Sequence, residues 1–128
     1  MTTNTEKNVA SAVAYYQAMH NKDLAGMARH LCDDVRFIGP LAEMTGKDAV
    51  LETANRFMRL IKGIRVNARM GSGDQIMLTC DLEFPEPIGR CRTAVLMTFE
   101  DGLIARIELF YDARPFEKSV SKEVFGSR

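Results

Sequence analysis

The sequence has no tryptophan, only two histidines and four prolines, and no surplus of charge of either sign. Lysine plus arginine equals aspartate plus glutamate at 17 each, so no net field draws the chain toward nucleic acid. Arg65, Arg69, Arg90 and Arg92 have no interleaved aromatic residues and read as solvated strand faces. No apolar run approaches the ~20 residues of a membrane span. Met1 to Lys7 lack the apolar core of a signal peptide, which makes the cytoplasm the expected location. The three cysteines are odd in number and lack metal-ligand spacing, and His30 and Cys32 would point to different faces of a helix. Buried free thiols are therefore expected, with no metal and no cofactor.

What is present is ordinary in amount and informative in order. A chain of 128 residues, 46% apolar, suits one domain that buries most of its unfolded surface. Repeats and low-complexity tracts are missing, so a single unit over 1–128 is expected, with its core at about 8–116 and a tail at 117–128. Thr3 and Glu6 suggest a capping box before a helix over about Glu6 to His20, with Val9, Val13, Tyr16 and His20 on one stripe. Asp23 is a suitable N-cap for a short second helix carrying Leu24, Met27, Ala28 and Leu31, which Asp33 and Asp34 end. Val35 to Ile38 read as a short strand. Thr45 to Asp48 resemble another capping box, opening a third helix with Val50, Ala54, Phe57, Met58 and Ile61 inward and Gly63 as its stop.

The rest alternates. Ile64, Val66, Ala68 and Met70 form one inward set, and Ile76, Leu78, Cys80, Leu82 and Phe84 another. The two longest strands, from Cys91 and from Leu103, are expected to pair across the turn Glu100-Asp101-Gly102. That register sets Phe99 against Leu103, Val95 against Ile107 and Cys91 against Tyr111. It also sets Cys80 against Val95 and Cys91 against Phe84, which excludes a disulfide between the two cysteines. Helices first and long antiparallel strands later imply an α+β fold: a curved, mostly antiparallel sheet wrapped around three N-terminal helices, forming a cone with an inner pocket. Ala94, Leu96, Ile104 and Phe110 fall on the outer face, and an apolar face of that kind implies a homodimer. Beyond Arg114 the pattern weakens, with Val120, Val124 and Phe125 able to form a short docking helix.

Tyr16, Asn21 to Asp23, Asp33 to Val35, Thr45 to Ala49 and the Phe99 to Ile104 hairpin, in that order, resemble the nuclear transport factor 2-like superfamily and within it the SnoaL-like proteins. The resemblance implies the cone fold and a frequent tendency to dimerise, but no single chemistry. Ketosteroid isomerases of this superfamily use a helix-one tyrosine, which Tyr16 matches. Their base and oxyanion acid fall on Gly39 and Val95, so their proton shuttle is not expected here. Limonene epoxide hydrolases use an Asp-Arg-Asp trio, of which Asp112 alone is similar in position. The other two members fall near Cys80 and Leu82, so that site would need Asp81 or Arg92 to reach inward through a bulge.

The site expected from these readings is an apolar pocket for a small hydrophobic molecule. Phe37, Phe57, Cys80, Leu82, Cys91, Thr93, Val95, Leu109 and Tyr111 are its expected lining, with Cys91, Thr93 and Tyr111 as a polar rim. If an isomerase-, hydrolase- or cyclase-type reaction on a carbonyl compound follows, Tyr16 is the hydrogen-bond donor and His20 or Asp112 the acid–base group. The alternative is a non-catalytic dimerising or adaptor module whose cavity is filled core. Tyr16 would then be a packed core residue, His20 a helix-end cation and Asp112 a solvated carboxylate.

Overall fold

The computed structural model describes residues 3–117. Helix α1 (Asn4–His20) starts as its sequence indicates, with the Thr3 hydroxyl accepting from the Glu6 N–H at 3.1 Å. Helix α2 (Leu24–Ala28) is capped by Asp23, which accepts from the Gly26 N–H at 2.9 Å. It stops earlier than its apolar spacing suggests. Leu31 instead begins strand β1 (Leu31–Ile38), where it pairs with Ile104 and is buried. Asp33 and Asp34 therefore lie within a strand and do not follow a helix.

A three-residue strand β2 (Glu43–Thr45), with no alternation long enough to read, holds Thr45 against Arg36. Thr45 is thus engaged in the sheet and does not cap helix α3 (Lys47–Leu60), whose N-cap is Gly46 at φ 106°. Nor does Gly63 close that helix, since it opens strand β3 (Gly63–Ser72). The end of α3 is capped from outside, by the Lys22 ammonium donating to the carbonyls of Met58 and Ile61.

Strands β4 (Gln75–Glu83), β5 (Arg90–Glu100) and β6 (Leu103–Tyr111) complete a six-stranded sheet of order β2-β1-β6-β5-β4-β3. Every neighbouring pair is antiparallel except β1 with β6. The sheet is curved and unclosed, with the helices on its inner face, so the α+β cone is the observed fold.

Three register differences decide which side chains face the helices. The β5–β6 turn holds two residues, Asp101 and Gly102, both at positive φ, with Glu100 paired to Leu103. A bulge then follows between the Phe99 and Thr98 pairs, so Val95 faces Leu109 and Thr93 faces Tyr111. Two one-residue offsets restore the alternation beyond the bulge, but between turn and bulge they turn Ile104 inward, fully buried against Phe99. Ile104 therefore does not belong to the outer face. In β4–β5, Cys80 faces Thr93 and Leu82 faces Cys91, two positions from expectation, because the loop closes at Glu83 and Arg90. All three cysteines are free. In β3 a bulge at Asn67 reverses the alternation, so Met70 points outward at 61% exposure and Arg69 lies across from inward Leu78.

Val120, Val124 and Phe125, read as a docking helix, lie outside the described residues. Among the described residues no helix is long and apolar enough to cross a membrane.

Candidate functional site

Helix α1 turns Ala12, Tyr15, Tyr16 and Met19 into the cone, a stripe one position round from the one its apolar spacing suggested. Helix α3 presents Val50, Thr53, Ala54 and Phe57 at the same spacing. These residues, with Phe37 of β1, Met44 of β2 and Leu82, Thr93, Ile107 and Leu109 of the long strands, enclose a cavity of about 50 Å³. Cavities that hold a benzene ring are about 150 Å³, so this one is too small for such a ring as it stands.

Its polar groups are few. The rings of Tyr15 and Tyr16 meet edge to face at 5.4 Å, and burial raises the pKa of both hydroxyls. For Tyr16 the neighbouring Cys80 and Tyr15 add to that effect. Both are therefore neutral hydrogen-bond donors across the physiological range. Neither hydroxyl donates to or accepts from another described residue, and among those residues the one fully buried side-chain polar atom without a hydrogen bond is Asp81 Oδ1. Thr93 donates to the Cys80 carbonyl at 3.3 Å.

One end is sealed by aromatic rings. Phe84 packs edge to face with Phe57 at 5.4 Å and with Phe116 at 5.0 Å, and Phe116 meets Tyr111 at 5.4 Å. Phe116 sits on a short 3₁₀ turn (Arg114–Phe116) and is 1% exposed. Tyr111, expected as rim, belongs to this seal, and Cys91, also expected there, pairs with Leu82 and does not line the cavity. Cys80 and Val95 also lie behind the wall, fully packed. Phe37, Phe57, Leu82, Thr93 and Leu109 do line the cavity. Burial, and then the charge of Asp81 for one and Asp112 for the other, pushes the Cys80 and Cys91 thiols up to about 11.

Tyr16, His20 and Asp112 are not brought together. Tyr16 borders the cavity, whereas His20 is exposed, its Nδ1 accepting from the Ile64 N–H at 3.0 Å in a separate groove between α1 and β3. Asp112 is exposed and accepts from Arg114 Nε at 2.9 Å and Nη2 at 2.7 Å, which holds its carboxyl down at about 2. Asp81 and Arg92 face outward on an unbroken β4–β5 ladder, with the Arg92 Nε 3.6 Å from the Asp81 carboxylate, so no bulge carries them inside.

Tyr15, Met19, Met44 and Thr53 are cavity residues that the sequence reading passed over. Tyr15 and Met19 were within reach of it, since Ala12, Tyr15, Tyr16 and Met19 follow the i, i+3, i+4, i+7 rule. Among the described residues no group of three His, Cys, Asp or Glu side chains could hold a metal.

With this fold and cavity the chain is one of the nuclear transport factor 2-like α+β proteins. The SnoaL-like domain family matches residues 12–107, and the chain belongs to that family. A protein from Kribbella flavida is 27% identical, with a TM-score of 0.80 over 85% of this chain and 89% of its own. An epoxide hydrolase of the limonene epoxide hydrolase type from Mycobacterium tuberculosis is 15% identical, with a TM-score of 0.75 over 96% of this chain and 90% of its own. A steroid delta-isomerase from Pseudomonas aeruginosa is 19% identical, with a TM-score of 0.71 over 85% and 82%. No curated protein matches the sequence.

Proposed function

We propose that this SnoaL-like protein binds a small hydrophobic molecule bearing a carbonyl or similar acceptor inside the cone. The observation that carries the reading is the pair of tyrosine hydroxyls beside an otherwise apolar wall, neither with a partner in the described protein. A ligand oxygen entering the cavity would give these donors an acceptor inside the protein. Among the described residues the cavity wall offers no carboxylate, imidazole or thiol, which supports binding over proton transfer. The similarity to an epoxide hydrolase and an isomerase keeps an enzyme activity of that broad type as the extension of this reading. Admission of a ring-sized ligand requires lining side chains to move, and Met19 and Met44 are the flexible ones among them.

The small volume of the cavity favours the competing reading, a non-catalytic dimerising module with a filled core. Either way, the outer face of the sheet is proposed as a homodimer interface. Phe110, 53% exposed, and Met70 stand there with half-buried Ala94, Leu96 and Met77.

Native mass spectrometry of gently purified protein, followed by extraction, tests the binding reading. A defined apolar molecule that is lost from Tyr16→Phe protein supports it. A ligand-free protein that gains no mass with a panel of lipophilic ketones refutes it. Tyr16→Phe itself is expected to change stability by under about 0.5 kcal/mol, because no protein hydrogen bond is removed.

A further inference from the structure

We propose that the groove between α1 and β3 is a second binding site, for a small carboxylate carrying a short apolar body. Val13, Ile64 and Val66 floor this groove of about 340 Å³, and Tyr16 forms its end. Gln17, His20 and Asn21, at i, i+3 and i+4 on α1, rim one side, and Arg69 the other. Two observations give the groove its sign. First, among the described residues its lining holds one arginine and no carboxylate, and Arg69 has no ion pair with any of them. Second, that cation is there because the Asn67 bulge reverses the strand: without it Arg69 would point to the outer face.

The polar groups that line the groove are donors suited to an anion. Because His20 Nδ1 accepts from the Ile64 N–H, the neutral ring carries its proton on Nε2, which is then a donor. The Gln17 and Asn21 amides add N–H groups on the same side. The guanidinium fork of Arg69 matches the two oxygens of a carboxylate, and the apolar floor takes the remainder of the molecule. The two sites share only the Tyr16 ring, and the groove reading stands whether or not the cavity admits a ligand.

The probe is phenylacetate, titrated into the full chain and followed by ¹H–¹⁵N NMR, with 2-phenylethanol as its uncharged counterpart. Saturable shifts are expected at the Gln17 and Asn21 side-chain amides and at Arg69 Nε, with Thr53 and Leu82 of the cavity unmoved. Arg69→Gln should weaken binding by roughly tenfold or more, and Arg69→Lys by less, as a charge without the fork. Thermal unfolding of both variants serves to confirm that they fold. The proposal is overturned if phenylethanol binds as well, if Arg69→Gln binds unchanged, or if no carboxylate shifts these groups at millimolar concentration. Inorganic phosphate binding as tightly as phenylacetate would also overturn it, since the apolar floor would then contribute nothing. Shifts confined to Thr53 and Leu82 would reject the groove while supporting the cavity.

Discussion

Asp112 illustrates how far a residue's chemistry depends on what its neighbours do with it. A carboxylate ending the last strand fits an acid–base role by position, yet here both oxygens are engaged by Arg114 two residues on. Its folded pKa of about 2 is depressed from an unfolded value near ~3.9. The pairing therefore stabilises the fold above that unfolded value, and the contribution is lost as pH falls through about 2. The group is fully exposed, so added salt screens it. Carboxyl NMR at low salt is expected to titrate Asp112 near 2, and Arg114→Gln to return it toward the ordinary range. A value near 4 in the unaltered chain would show that the pair does not persist in solution. The sequence could not disclose this pairing, since alternation says which way a strand residue points and nothing about a following turn. Tyr16 was legible because a family position and a helical stripe agreed on it. Tyr15 is hidden because a stripe through Val9, Val13, Tyr16 and His20 ends on His20, an exposed residue at the helix end.

At the scale of elements, helices and strands were recoverable where periodicity ran long. Helices α1 and α3 and strands β3 to β6 lie close to where their patterns put them. What failed were the joints. The β5–β6 turn is one residue shorter than Glu100-Asp101-Gly102, as Asp-Gly between alternating runs, the strongest two-residue hairpin signal, indicates. The inward turn of Ile104 follows from that tight turn, whereas the bulges beyond it and at Asn67 leave no mark in an apolar pattern, so the outward turn of Met70 is illegible. Gly102, at φ 82°, is the residue that makes the tight turn possible. Gly102→Ala is expected to lower stability by about 1 kcal/mol in urea unfolding, with no steric clash to add to it. A loss near zero would mean that the hairpin can adopt another turn.

For the whole molecule, the cone follows from strands long enough to curve over two helices whose apolar stripes face the same way. The order of elements carried that much, and with it the family. The cavity's actual size depends on methionine and phenylalanine conformers, which no pattern encodes. The outer face carries the remaining question of assembly. Sedimentation velocity is expected to find a dimer, and Phe110→Glu to yield monomers that unfold at a similar denaturant concentration. A chain that is already monomeric at tens of micromolar, or a dimer indifferent to Phe110→Glu, would remove the outer face from consideration.

The Asn67 bulge also sets a rule for chain length. Elsewhere along a regular strand, loss of one residue exchanges the two faces beyond the deletion. At Asn67 the ladder already absorbs one residue more than its partner, so a chain lacking it would keep Arg69 under the helix and Met70 outside. What such a chain would lose is the local bend, not the identity of either surface. Strand β3 thus has one place where its length can change while what it shows to each side stays the same.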